Sequence, residues 1–356
     1  MSDKPLIIHY IHDFGIGGAQ SILLELFYAI NKYSEYKQIV ITKKISSQRA
    51  AINAKSYGVE VVELKNKKFH KFILSKKPCM LVYHKLFRSD TSIYEKLYSK
   101  VPIVVVNHTY TTDKVWSKIK RCNYIVAVCQ SMLNAIAKNR SVCKGGMKMI
   151  LNGVNADRYY DIKAIKRQER SALITGRINR FGKWKYSNGW IKWCLRLELP
   201  KRMIHEYIGS GPLFKKAKKC LDKHKYKYRR NHVFLKGSIS SMEEKISILK
   251  SWDVFLYETN EQEGLSVSIL EALSCGIPVV CSNHFGNKEI IEDGVNGYVF
   301  KSRDHAKEIL SSLCDSTNLE NLKRTTKKHY KDNKLDARYM AEKYIKLLES
   351  IKIKNG

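Results

Sequence analysis

Two carboxylates, Glu263 and Glu271, are separated by seven residues in a segment that runs Glu263-Gly264-Leu265-Ser266-Val267-Ser268-Ile269-Leu270-Glu271. The spacing alone says little, because it arises by chance, and the plain reading makes both solvated helix charges. The context says more. An apolar strand ending Val254 to Tyr257 precedes the loop, a helix starts near Ser266, Gly276 ends it, and Pro278 opens the next buried strand. Placed so, Glu263 sits at the mouth of a cleft, and Glu271, two turns into the helix, can face a ligand lying along it. The backbone N–H groups near Leu265 and Ser266, reinforced by the helix dipole, offer a seat for a diphosphate.

These residues need elements to position them, and the chain supplies an alternation of strand-like and helix-like stretches. Leu6 to Ile11, Gln38 to Ile41, Val61 to Val62, Met80 to Tyr83, Pro102 to Val106 and Tyr124 to Val128 read as strands. Several are almost wholly apolar, as strands covered on both faces of a parallel sheet must be. Ala19 to Ile30 carries Ile22, Leu23, Leu26, Phe27 and Ile30 on one helical face. The alternation restarts after Asn152-Gly153-Val154-Asn155, with strands near Ala172 to Thr175, Met203 to Ile208, Val233 to Leu235, Val254 to Leu256 and Pro278 to Cys281. The fold class is therefore α/β: two Rossmann-like doubly wound domains, 1–152 and 153–330, facing a central cleft. The polar stretch Asp157 to Arg170 reads as a linker, and 331–356 as a terminal helix packing back on the first domain.

Length and composition narrow the class. The 356 residues allow about two domains. No apolar run approaches the roughly 20 residues that cross a bilayer, and the N-terminal run is broken by His9 and His12, unlike a signal peptide. The expected location is the cytoplasm. Nine cysteines without a Cys-x-x-Cys pair argue for reduced core thiols rather than disulfides or a zinc site. With 65 Lys plus Arg against 33 Asp plus Glu, the net charge is +32. That excess either serves an anionic partner or reflects lysine-biased codon use on solvated faces. Two clusters favour a partner: Lys65, Lys67, Lys68, Lys71, Lys76 and Lys77, and Lys114, Lys118, Lys120 and Arg121 around Trp116. Such surfaces can rest on anionic lipid headgroups. Lys215 to Arg230 reads as an exterior helix face, and no nucleic-acid motif accompanies the charge. Gly15-x-Gly17 is followed by Gln20 and Gly209-x-Gly211 by Phe214, so neither completes a dinucleotide fingerprint.

The Glu263-x7-Glu271 segment resembles the signature of retaining family 4 glycosyltransferases, the "group 1" class with the GT-B fold. Other matches follow in order along the chain. Gly17-Gly18-Ala19-Gln20 is similar to the family's N-terminal glycine loop, Asn152-Gly153-Val154-Asn155 to its interdomain motif, and Thr175-Gly176-Arg177 with Lys183 to its Gly-Arg and Lys. Ile208-Gly209-Ser210-Gly211-Pro212 resembles its second glycine loop, and Asn296-Gly297-Tyr298 its late Asn-Gly turn.

The resemblance implies roles. Arg177 and Lys183 match the basic pair that neutralises the nucleotide diphosphate, a task suited to a guanidinium fork and a compact ammonium. Glu271 matches the carboxylate that accepts from the ribose hydroxyls, Glu263 the one near the donor sugar, and His108 the first-domain histidine that contacts that sugar. Taken alone, a histidine after a strand is more often structural. Gly17, Gly18, Gly209, Gly264, Leu265 and Ser266 belong to the nucleotide-sugar site on this reading. Three departures stand: Lys185 competes with Lys183 for the diphosphate, Ser266 replaces a second glycine, and Cys129 replaces a serine. No Asp-x-Asp occurs, so no metal is expected.

The expected activity is retaining transfer of a hexosyl or N-acetylhexosaminyl group to a hydroxyl of a lipid-linked saccharide, lipopolysaccharide core or other anionic glycan. The donor is a UDP-sugar or a GDP-sugar, and the enzyme works in the cytoplasm, at the inner membrane face if the basic patches dock there. The acceptor hydroxyl attacks on the face the diphosphate leaves, or Glu263 acts as a covalent nucleophile. The rival readings are a basic scaffold on the same fold that holds an anionic polymer or RNA, and a transferase acting on a soluble small molecule.

Overall fold

The computed structural model describes residues 4–84, 96–108, 122–138, 146–167, 171–183, 185–186, 188–239, 241–259 and 264–355. Glu263, and the cluster Lys114, Trp116, Lys118, Lys120 and Arg121, lie outside the described residues. The chain divides into two compact units, Met1–Asn155 with Leu335–Gly356, and Ala156–Lys334.

The first unit is built on a seven-stranded parallel sheet, β1 (Leu6–Phe14), β2 (Lys37–Ile45), β3 (Glu60–Glu63), β4 (Met80–His84), β5 (Ile103–Asn107), β6 (Tyr124–Ala127) and β7 (Met147–Met149), in the order β3-β2-β1-β4-β5-β6-β7. Strands β4, β5 and β6 are buried along their whole length, which is why their sequences are nearly continuous apolar runs. The helix Gly18–Tyr33 buries Ile22, Leu23, Leu26, Phe27, Ala29 and Ile30. Against it packs the terminal helix Ala337–Asn355, with Met340, Ala341, Tyr344, Leu347, Leu348 and Ile351 buried.

Residues 152–155 belong to this unit, for three local reasons. The Val154 N–H donates to the Leu335 carbonyl at 3.2 Å, the Asn155 N–H donates to Glu25 Oε2 at 3.0 Å, and a Cβ at Gly153 would stand 2.4 Å from the Asp336 carbonyl oxygen. Only glycine lets the two backbones approach so closely.

The second unit has six parallel strands, β8 (Leu173–Ile178), β9 (Met203–Ile208), β10 (His232–Lys236), β11 (Val254–Tyr257), β12 (Val279–Ser282) and β13 (Gly297–Phe300), ordered β10-β9-β8-β11-β12-β13. Its core joins Trp190, Ile191 and Leu195 of the helix Asn188–Arg196 to Met203, Tyr207, Val254, Leu256 and Val280 of the sheet. In each sheet the strand order reverses once, between β1 and β4 and between β8 and β11. Such a switch point opens a crevice at the carboxyl ends of the strands.

Some elements are absent from the sequence reading. β7 is an edge strand of Met-Lys-Met with two exposed residues, so it carries no apolar signal. β13 begins at the glycine read as a turn. The cluster at 65–77 contains the helix Asn66–Ser75, in which Phe69 and Ile73 are buried while Lys68 and Lys71 stay exposed. The segment after Asn155 opens with a 3-10 turn, Ala156–Tyr159. No described cysteine is cross-linked. Among the described residues, no helix is long and apolar enough to cross a membrane.

Candidate functional site

Arg177 is the penultimate residue of β8, beside the switch point of the second sheet, and is 1% exposed. The guanidinium lies between two aromatic faces, with Cζ 4.6 Å from the Tyr207 ring centre and 4.8 Å from that of Tyr257. Nε donates to Asn179 Oδ1 at 2.8 Å, and Nη2 donates to the carbonyls of Lys185 at 3.0 Å and Glu258 at 2.8 Å. Arg177 thus ties the ends of β8 and β11 to the loop that joins β8 to the helix Asn188–Arg196. The Lys185 carbonyl is a hub, accepting also from Tyr207 Oη at 2.9 Å and Asn179 Nδ2 at 3.2 Å. Lys183, two residues earlier, is exposed.

The glycine loop after β9 packs onto this same segment. Gly209 has φ +145, and a Cβ there would meet the Asn179 carbonyl oxygen at 2.1 Å. The Asn179 N–H donates to the Ile208 carbonyl, and the Phe181 N–H to that of Ser210, each at 3.0 Å. Glycine is required for contact between two backbones, which holds Gly209 against the loop of Arg177 and Lys183.

After β11, Glu258 accepts a two-point ion pair from Arg303, Nε to Oε1 at 2.9 Å and Nη2 to Oε2 at 2.8 Å. These hydrogen bonds raise the Arg303 pKa above its ordinary value, although partial burial works the other way. The Thr259 N–H donates to Ser282 Oγ at the end of β12 at 3.1 Å. The carboxyl ends of β8, β11 and β12 therefore carry a connected polar rim. Beneath it, His205 accepts from Trp190 Nε1 at 3.3 Å and bonds Thr175 Oγ1 at 2.9 Å. Burial, helped by the Arg177 charge, lowers His205 to about 3 and keeps it neutral.

Gly264, Leu265 and Ser266 lead into the helix Val267–Ser274, and all three are buried. The Ser266 N–H, expected to be open to a ligand, donates to Asn287 Oδ1 at 3.0 Å, so that part of the seat is closed by protein. Asn287 is wholly buried, and its Nδ2 has no hydrogen-bond partner among the described residues. Glu271, 3% exposed, forms an ion pair through Oε1 with Lys245 of the helix Met242–Leu249. It is a buried, charge-paired carboxylate rather than a solvated one.

The structure brings Arg177, Lys183 and Gly209 onto one connected set of loops and places Ser266 against Asn287. Gly17, Gly18 and His108 belong to the other unit. Gly17 precedes the helix Gly18–Tyr33, and its carbonyl accepts from the Ser21 N–H at 2.9 Å, while Gln20 Nε2 donates to the Asp13 carbonyl at 2.9 Å. His108 follows β5, partly buried, with Nε2 3.1 Å from His84 Nδ1. Sequence reasoning missed Asn179, Glu258, Lys245, Asn287 and Arg303. Only Glu258, a carboxylate directly after an apolar strand, gave a usable signal. A groove of about 370 Å³ opens elsewhere, between the helix Phe214–His224 and β10, and no expected site residue lines it.

Residues 161–332 match the family model for "Glycosyl transferases group 1". The chain is 26% identical over 252 residues to an uncharacterised glycosyltransferase of Methanocaldococcus jannaschii, a match covering 68% of this chain and 63% of that protein. It is 33% identical over 124 residues to the poly(glycerol-phosphate) alpha-glucosyltransferase of Bacillus subtilis, covering 34% of this chain and 17% of that protein. The chain thus spans less than two thirds of either relative. Among solved structures, Anabaena HepE in complex with UDP and glucose superposes with a TM-score of 0.79 at 14% identity, covering 97% of this chain and all of the other. At that identity the likeness is one of fold alone: the two parallel-sheet units are those of GT-B glycosyltransferases.

Proposed function

We propose that this chain, whose residues 161–332 match the group 1 glycosyltransferase model, transfers a sugar from a nucleoside diphosphate donor to a saccharide hydroxyl with retention of anomeric configuration, as family 4 enzymes do. The observation that carries this reading is the loop set at the β8–β11 switch point, where buried Arg177 and exposed Lys183 share a backbone fixed at Lys185. In this reading the second unit takes the nucleotide. Lys183 supplies the ammonium that meets the diphosphate. Arg177 adds its field from beneath and sets the loop, since its Nε and Nη2 donors serve protein acceptors. A buried cation close to a departing diphosphate stabilises the charge that develops there without reorganising at the moment of reaction.

Glu271, paired with Lys245, accepts from the ribose hydroxyls, and in the same reading Glu263, His108, Gly17 and Gly18 serve the nucleotide-sugar. The donor we favour is a UDP-sugar, which the UDP bound to Anabaena HepE supports. For the acceptor we favour an anionic or lipid-linked glycan at the inner face of the membrane. The exposed lysines of the helix Asn66–Ser75 support it, as does a relative named for a phosphate polymer.

The test is thermal stability against UDP, GDP, ADP and CMP and their common sugar conjugates, for the wild type, Lys183→Ala and Glu271→Gln. A nucleotide at about 100 times its Kd adds roughly 2.7 kcal/mol. The expected result is stabilisation of the wild type by one nucleotide series and a weaker effect in both variants. Stabilisation by no nucleotide, beside salt-sensitive binding of an anionic polymer, overturns the reading in favour of a scaffold.

A further inference from the structure

Strand β10 is an edge of the second sheet, with β9 on one side and, among the described residues, no strand on the other. The register fixes which backbone groups that edge leaves open. The Gly209 N–H donates to the Lys236 carbonyl at 3.1 Å, so Lys236 turns its backbone toward β9. Backbone direction alternates along a strand. His232 and Phe234 therefore also face β9, and the N–H and C=O groups of Val233 and Leu235 point outward. A groove of about 370 Å³ lies between this strand and the helix Phe214–His224, and because residues 231–235 line it in succession it follows the strand. Leu195, Phe214 and Leu221 give it an apolar lining, and Lys218 and Lys225 stand on the helix side. Phe234, on the strand, is 48% exposed.

Charge decides what fits there. Residues 215–230 hold nine lysines and arginines and one acid, Asp222, which pairs with Lys225 at 2.8 Å. All of the nine except Lys225 are exposed. An open edge beside apolar side chains is a template for pairing with another chain. A second copy is excluded by repulsion, since it would set one lysine cluster against the other. The same lysines admit a strand of opposite charge. A phosphate polymer would satisfy the lysines, but it brings only acceptors. It has no donor for the outward carbonyls of Val233 and Leu235 and nothing apolar for Leu195, Phe214 and Leu221. An extended acidic peptide brings backbone donors and acceptors, carboxylates and apolar side chains together.

We infer that β10 and the helix Phe214–His224 form a docking groove for an extended acidic segment of a partner protein, which joins the sheet beside β10. The strand is five residues long, so pairing extends over about 17 Å. Side chains of the segment alternate between the two faces of the sheet. Those on the helix side are apolar over Leu195, Phe214 and Leu221 and acidic where they reach Lys218 and Lys225. None of the residues assigned to the nucleotide-sugar lines this groove, so the inference stands apart from the sugar-transfer reading.

The experiment is fluorescence anisotropy of the full chain with a labelled peptide, Glu-Glu-Val-Glu-Val-Glu-Glu, at physiological salt, where charges more than about 8 Å apart are screened. Saturable one-to-one binding is expected. Two further peptides carry N-methyl groups on one or the other alternating set of amides, which removes donors and keeps every charge. Only the set facing β10 pairs, so one of the two should bind about thirtyfold more weakly, the scale of two backbone hydrogen bonds, and the other as the parent does. Lys218→Glu combined with Lys225→Glu should weaken the parent peptide about tenfold or more at an unchanged melting temperature. Leu235→Pro removes an outward N–H without touching the β9 pairing and should weaken it as well. If that variant does not fold, the two N-methylated peptides still decide. No binding up to about 1 mM peptide overturns the inference. So does equal binding of both N-methylated peptides with displacement by inorganic polyphosphate, which would make this a general surface for polyanions.

Discussion

The Nη2 group of Arg177 donates to the Lys185 carbonyl at 3.0 Å, so the buried guanidinium at the end of β8 fixes the backbone that carries both candidate phosphate lysines. A residue expected to bind ligand by direct contact is, in this arrangement, also the clamp of its loop. Stability and binding should therefore separate between the two members of the basic pair.

Arg177→Ala removes a donor from the part-buried carbonyls of Lys185 and Glu258 and empties the space between Tyr207 and Tyr257. Lost hydrogen bonds and a cavity together should cost roughly 2–4 kcal/mol in chemical denaturation. Arg177→Lys should recover little of this, since an ammonium cannot stack or fork. Lys183→Ala, at an exposed position, should change stability by less than about 0.5 kcal/mol while weakening nucleotide binding in calorimetry. Equal stability losses for Arg177→Ala and Lys183→Ala would remove the clamp from the account.

Glu271 and Lys245 make a second asymmetric pair, with the carboxylate side chain 4% and the lysine 16% exposed. Lys245→Met leaves a buried carboxylate uncompensated and should destabilise by about 3–5 kcal/mol. Glu271→Gln leaves the more accessible ammonium, keeps a polar group in place, and should cost clearly less. A double-mutant cycle joining the two should give a coupling above about 1 kcal/mol. Calorimetry with the best nucleotide should then find Glu271→Gln folded but weakened in binding, which separates a ribose contact from a structural ion pair.

Much of this was legible in the chain. The all-apolar strands announced parallel sheets, and the stripe from Ile22 to Ile30 announced the first helix, because burial on two faces or on one helical face leaves a period in the sequence. Positions such as Arg177 and Gly209 stood out by motif. What sequence could not give was pairing across distance. Lys245 lies on an ordinary helix and gains meaning only from Glu271, twenty-six residues on. Asn287 gains it from the Ser266 N–H. His9 and His84 lie on β1 and β4, which only the sheet order brings together. β7, short and polar, carried no burial signal at all.

Gly209 offers a test of the loop contact that is independent of any ligand. With φ +145 and the Asn179 oxygen 2.1 Å from a would-be Cβ, Gly209→Ala is strained both in backbone and in space. Relief requires the Arg177–Lys185 segment to move away. The expected cost is roughly 1–3 kcal/mol. The variant should also lose part of its nucleotide affinity if that segment carries the diphosphate contact. A neutral Gly209→Ala would mean that the two loops can part freely.

Acid should unfold the protein in two stages, and the sign follows from which state binds protons. His9 and His205 are lowered by burial from 6.5 to about 3, and His84 is lowered in the same direction. Between pH 6.5 and about 3 the unfolded chain therefore binds more protons than the folded one, so stability falls as pH falls. Above pH 6.5 these histidines are neutral in both states and contribute no slope. Glu206 adds a second stage. Burial alone would raise it, but hydrogen bonds from Arg167, Lys236 and Trp252 outweigh burial and bring it from 4.5 to about 2, so its contribution is lost only below pH 4.5. Chemical denaturation at pH 8, 7, 6 and 5 should show a plateau to about pH 7, then a fall approaching about 1.4 kcal/mol per pH unit for each histidine. Because His9 and His84 lie in one unit and His205 in the other, both should weaken, and His205→Gln should flatten the slope of the second unit alone. A stability that stays level from pH 8 to pH 5 would show these imidazoles already accessible to protons in the folded chain.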